Sequence, residues 1–153
     1  MFIKKILTFS VSSLALAAIS SLSLIAVMSQ QAVAADLTVN ISEVNQGKGH
    51  VMVGLYSGSK AFNQGKAMLG SSVKATNEQE EVVFKDLPAG EYAIKIYQDE
   101  NSNDKLDFNF IGIPKEGYGF SNNVGRFSRP EYQEAKFTIE EKIEKAEINI
   151  ELF

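Results

Sequence analysis

The residues with the clearest chemistry in this 153-residue chain lie in one run, Asp99-Glu100-Asn101-Ser102-Asn103-Asp104-Lys105-Leu106-Asp107. Side-chain oxygens recur at Asp99, Asn101, Asn103 and Asp107. That set suits a hard cation, because calcium takes six to eight oxygens and is wrapped by alternate residues of a tight turn. Set against a twelve-residue calcium loop, Asp99 is position one, Asn101 three and Asn103 five. Lys105 is position seven, acting through its backbone carbonyl, and Asp107 is nine. Leu106, at eight, matches the apolar residue such loops bury. Position six, normally glycine, is Asp104, and position twelve, normally a bidentate glutamate, is Phe110. The remaining ligands would come from water, carbonyls or another carboxylate, with Glu116 a candidate. The competing reading is an Asx-rich turn that caps its own backbone. The spacing favours calcium, with an affinity of about 10⁻⁴–10⁻³ M.

A cage of this kind needs rigid elements at its ends, and the chain around it reads as β throughout. Leu37, Val39 and Ile41 alternate with Thr38, Asn40 and Ser42, the period of a half-buried strand. After a turn with two glycines, Val51, Val53 and Leu55 face inward on a second strand. Residues 71–76 and 80–87 read as short strands about a polar turn. Residues 90–98 place Tyr92, Ile94 and Ile96 on one face. Phe137 and Ile139, then Ile148, Ile150 and Leu152, alternate near the end. Helix is expected at most as one turn around Lys60–Phe62. About seven strands, each with one polar face, predict an all-β antiparallel two-sheet sandwich, immunoglobulin-like or transthyretin-like. Phe84, Leu87 and Tyr92 flank a turn holding Pro88 and Gly90. This resembles the Leu-Pro-x-Gly-x-Tyr corner of bacterial immunoglobulin-like and carboxypeptidase-regulatory-like modules. Pro88 is expected to preset φ, Gly90 to take the left-handed turn and Tyr92 to pack over the corner.

Residues 99–134 form a long insertion with no strand of convincing length, and loops of that size are usually functional or disordered. Its composition is not that of disorder: Phe108, Phe110, Tyr118, Phe120, Phe127 and Tyr132 lie within it. Such a segment is expected to fold back and bury its aromatics. The sharper reading is a ligand surface, with Tyr118 and Phe120 as a platform and Asn122, Asn123, Arg126 and Arg129 as polar contacts. The two arginines would hold an anion or carboxylate.

The N-terminus sets the compartment. Lys4 and Lys5 precede an apolar run, Ile6–Val27, which ends in Ala32-Val33-Ala34. Positive start, apolar middle and small-x-small exit predict a signal peptide over 1–34 and a single domain over 35–153, delivered to the periplasm or secreted. Removing Lys4 and Lys5 leaves 13 basic against 19 acidic residues, a net of −6. That balance argues against nucleic acid, whose phosphates need a basic surface. The absence of cysteine excludes disulfides, thiol chemistry and a lipidated N-terminus, and one histidine, His50, excludes a multi-histidine zinc site. His50 is expected to be an exposed strand residue. In an exported domain without disulfides, an oxygen-bound metal is the remaining staple.

The run Gly112-Ile113-Pro114-Lys115-Glu116-Gly117-Tyr118-Gly119-Phe120-Ser121-Asn122, following Asp99, Asn101 and Asn103, resembles an exported bacterial family catalogued as domain of unknown function 2141. Members usually carry glycine where this chain has Ser102 or Asp104. The resemblance implies an exported β-sandwich and no assigned reaction. Together these readings predict a non-enzymatic, calcium-stabilised module that binds a protein, glycan or small-molecule partner through its insertion. The alternative is a metal-dependent hydrolase acting on carbohydrate or another polymer.

Overall fold

A computed structural model describes residues 34–153. The expected leader lies outside the described residues apart from Ala34. Two sheets form an all-β sandwich. One has the order β4-β1-β8, built from β1 (Ala35–Ser42), β4 (Glu80–Leu87) and β8 (Lys145–Glu151). The other has the order β3-β2-β5-β6, from β2 (His50–Tyr56), β3 (Leu69–Lys74), β5 (Gly90–Asp99) and β6 (Tyr118–Phe120). A short β7 (Phe137–Ile139) pairs with the start of β5. Two short helices complete the chain, α1 (Ser59–Gln64), at the place of the expected helical turn, and α2 (Tyr132–Ala135). No helix among the described residues is long and apolar enough to cross a membrane.

Period-two alternation puts Leu37, Val39 and Ile41 of β1 against Val51, Val53 and Leu55 of β2 and against Ile94 and Ile96 of β5. Their burial forms the core, at about 25 cal/mol for each Å² of apolar surface removed from water. All pairs are antiparallel except β1 with β8, which run parallel from Asp36↔Lys145 to Ser42↔Glu151. Alternation alone does not distinguish the two directions, since residues i and i+2 share a face in both.

The alternation of β4 breaks once, and the break is physical. Ala35 pairs with Leu87 but Leu37 with Phe84, so β4 holds one extra residue. Asp86 takes it up at φ 56, and its N–H donates to Asp36 Oδ1 at 3.2 Å. This bulge turns both Phe84 and Leu87 inward. Gly90 sits at φ 159, nearly extended rather than in the expected left-handed turn, and the left-handed residue beside this corner is Asp86. Tyr92 is buried at the corner and donates its hydroxyl to Pro88 O at 2.8 Å, as the motif predicts.

Candidate functional site

β5 runs directly into the polar loop. Its last residue, Asp99, pairs with His50 of β2 and is only 2% exposed. The Asp99 carboxylate turns back over the loop: Oδ1 accepts from Asn103 N at 3.0 Å and Oδ2 from Asp104 N at 2.8 Å. Ser102 and Asp104, both at φ 60, make the turn. Asp104 adopts the conformation that position six of a calcium loop requires. Asn101 and Asn103 send Nδ2 to one atom, Asp107 Oδ2, at 2.7 and 3.2 Å. Asn103 Oδ1 also accepts from Lys105 N at 2.9 Å. The structure thus brings together Asp99, Asn101, Asn103 and Asp107. The Asp99 contacts are those of an Asx turn, and as placed both amides turn Nδ2 rather than Oδ1 toward Asp107.

Glu116 completes the loop. It is 7% exposed, with Oε1 accepting from Glu100 N at 3.0 Å and Oε2 from Asp107 N at 2.9 Å. One carboxylate therefore ties the loop's two ends together, whereas Phe110, at the nominal twelfth position, is 99% exposed. Behind the loop, buried Gln98 clamps the β1–β2 turn: Oε1 accepts from Asn45 N, and Nε2 donates to Asn45 O and Lys48 O at 2.8 and 2.7 Å. Gly49 lies against Asp99, and an added Cβ there would stand 1.8 Å from the Asp99 carbonyl oxygen. Sequence reasoning did not find Gln98, and its one signal is a polar residue at the end of an apolar strand.

The donors suit a hard cation. Each carboxylate oxygen that accepts one N–H keeps a second lone pair. Half a turn of either amide presents Oδ1 instead of Nδ2 toward Asp107. The local field is negative: burial first, then Asp99, Asp104 and Glu116, raise the hydroxyl pKa of neighbouring Tyr97. Lys48 pairs with Glu100 at 3.2 Å at the loop's edge, and no other cation among the described residues pairs with a loop carboxylate. No group of three or more His, Asp or Glu side chains among the described residues is placed to hold a metal. Any such site would draw on the asparagine oxygens and on backbone.

Beyond the loop the chain makes a hydrogen-bonded tip. Phe108 bridges to Pro114, Asn109 N donates to Ile113 O at 2.8 Å, and Asn109 Oδ1 accepts from Ile111 N and Ile113 N. The tip exposes Phe108, Phe110, Ile111 and Ile113, and farther on Phe127 is 96% exposed. The expectation that the insertion buries its aromatics therefore holds for Tyr132 and Phe120, which pack with Phe62 and Tyr56, and fails for these. Asn109 spans the tip with backbone bonds, so the turn holds its shape without a core beneath it.

The residues expected to form a ligand surface divide. Tyr118 and Phe120 line a groove on the outer face of the five-stranded sheet. Asn122 donates to Glu134 O and Lys136 O, both at 2.9 Å. Asn123 accepts from Glu151 N at 2.8 Å and donates to Asn149 O at 3.4 Å. With buried Ser121, which accepts from Ile94 N at 2.9 Å and donates to Ala135 O, they clamp β6 to α2, β5 and β8. Arg126 lies over the Phe153 ring at 5.1 Å, and Arg129 donates to Asn63 O at 3.0 Å. A family model described as an uncharacterized protein conserved in bacteria (DUF2141) matches residues 39–147. The chain belongs to the DUF2141 family. No curated protein and no solved structure matches it. The DUF2141 span contains the loop, Glu116 and the Ser121–Asn123 clamp, which are the features that give the insertion its shape.

Proposed function

We propose that this DUF2141 chain is an exported, non-enzymatic module whose 99–107 loop is ordered by calcium and whose insertion presents a contact surface to a partner. The carrying observation is the tip: four apolar residues held in a fixed turn and turned to solvent, directly after a loop of oxygen donors. Exposed contiguous apolar surface marks interaction sites. Asp99, Asn101, Asn103, Asp107 and the Lys105 carbonyl would hold the ion, with Glu116 available as a further carboxylate. Calcium would supply positive charge at a point where carboxylates and amide dipoles converge, and so fix the base from which the tip projects. The non-catalytic reading rests on composition: the chain has no cysteine and one histidine, His50, exposed at the start of β2. Calorimetric titration with calcium chloride tests the reading. The expected result is one ion per chain, abolished by Asp107→Asn and retained by Phe110→Ser, because the tip is not a ligand. Binding equal in wild type and Asp107→Asn would refute it.

A further inference from the structure

The outer face of the five-stranded sheet carries a groove of about 530 Å³, within the range of small-molecule sites. Register explains it. Gly70, Gly54, Lys95 and Phe120 stand in one cross-strand row on β3, β2, β5 and β6, and Ser72, Met52, Tyr97 and Tyr118 in the next. Gly70 leaves the backbone bare, since an added Cβ there meets nothing within 4 Å, and Gly54 makes room for the Tyr56 ring, 3.0 Å from where its own Cβ would stand. The strands thus hollow their own surface, and Leu106 from the loop closes the far rim.

Lys95 is the groove's one cation. Its Nζ donates to Phe62 O at 2.6 Å and sits 4.0 Å from the Phe62 ring centroid and 5.0 Å from that of Tyr56. Among the described residues no carboxylate lies within 4.0 Å of it, and the nearby charge that acts on it is a second cation, Arg129. Burial, then Arg129, lowers its pKa to about 8. Asp99, Asp104 and Glu116 act instead on Tyr97, in the neighbouring row. The groove is therefore polarised, positive at Lys95 and negative toward the loop, with apolar walls between.

We propose that this groove is a binding site for a small apolar monocarboxylate, its carboxylate on Lys95 Nζ and its hydrocarbon over Met52 and Leu106. A carboxylate would add a charge-assisted hydrogen bond to the one that Lys95 already donates to Phe62 O, and the apolar walls take the tail. The site lies apart from the tip, and its head-group contact at Lys95 draws on no residue of the 99–107 loop.

Decanoate, decanol and decyltrimethylammonium share one tail and differ in head charge, so titrating each while following backbone amide shifts tests the proposal. The expected result is movement of the Gly54, Gly70 and Ser72 amides, with decanoate at least about tenfold tighter than the other two, the worth of one charge-assisted bond. Lys95→Met is expected to erase that preference while leaving decanol unchanged, and Lys95→Arg to keep it. Gly70→Phe, at a strand position with open space, is expected to weaken all three. Equal binding of the three probes, shifts mapping elsewhere, or no shifts with decanoate would overturn the proposal. Loss of calcium binding in Asp107→Asn is expected to leave the head-group preference set by Lys95 unchanged, so the two readings fail separately.

Discussion

Glu116 shows how much one side chain can decide. Both its oxygens accept backbone N–H groups from opposite ends of the loop, in a buried setting. An amide there would aim an N–H₂ at one of those donors. Glu116→Gln is therefore expected to cost about 1–3 kcal/mol, read by urea unfolding without calcium. Lys95 gives a second prediction. Its folded pKa, about 8, lies below the ordinary 10.5, so from pH 8 upward the unfolded chain binds more protons and stability rises. Tyr56, Tyr92 and Tyr97 have pKa values raised above 10.0 by burial, so past that pH the native state holds more protons and stability falls. A maximum between about pH 8 and 10 is expected in thermal melts. Lys95→Met is expected to flatten the rising side, and a rise that survives in that variant would assign it elsewhere. At this scale the sequence displayed Asp99, Asn101, Asn103 and Asp107, because local spacing brings them together. Gln98 was invisible and Glu116 only a candidate, because their partners are backbone groups that the fold delivers.

β6 joins the two sheets, although it spans only Tyr118–Phe120. It pairs with β5 in one sheet and lies against β8 of the other, and an added Cβ at Gly119 would stand 2.7 Å from Glu151 O. Gly119→Ala must push β8 away or break the β5–β6 pair, at an expected cost of about 1–3 kcal/mol. Hydrogen exchange should show the loss first at Phe153 N and Glu151 N, which bond to Tyr118 O and the Asn123 side chain. Unchanged protection there would remove β6 as the link. The longer strands were legible because five or more alternating residues display a period. Three residues, Tyr-Gly-Phe, do not, so the insertion read as a loop. The Gly112–Asn122 run was conspicuous as a motif but silent about its role. Its polar members mostly bond to backbone of distant elements, and such partners leave no spacing rule. The bulge at Asp86 was hidden for the same reason, since a single left-handed aspartate looks like any polar residue on a solvent face.

Across the whole molecule, a cysteine-free sandwich closes its core with alternating strands and leaves one insertion partly unsupported. One half of that insertion, Phe120 and Tyr132, packs over Phe62, while the other ends in the exposed tip. The tip projects from the loop before it, where, among the described residues, no lysine or arginine pairs with Asp99, Asp107 or Glu116. Alternation implied the sandwich and composition the acidic balance, but neither could say which aromatics stay in water, because burial depends on where the insertion finds a surface. The central claim is that calcium orders this loop, and thermal unfolding with EDTA against about 10 mM calcium tests it most directly. With a dissociation constant of about 10⁻⁴ M, the ion is worth about 2.7 kcal/mol, a rise in Tm of about 5–10 °C. Asp107→Asn should melt with no calcium-dependent rise. No rise in the wild-type protein, or an equal one in Asp107→Asn, would contradict the claim.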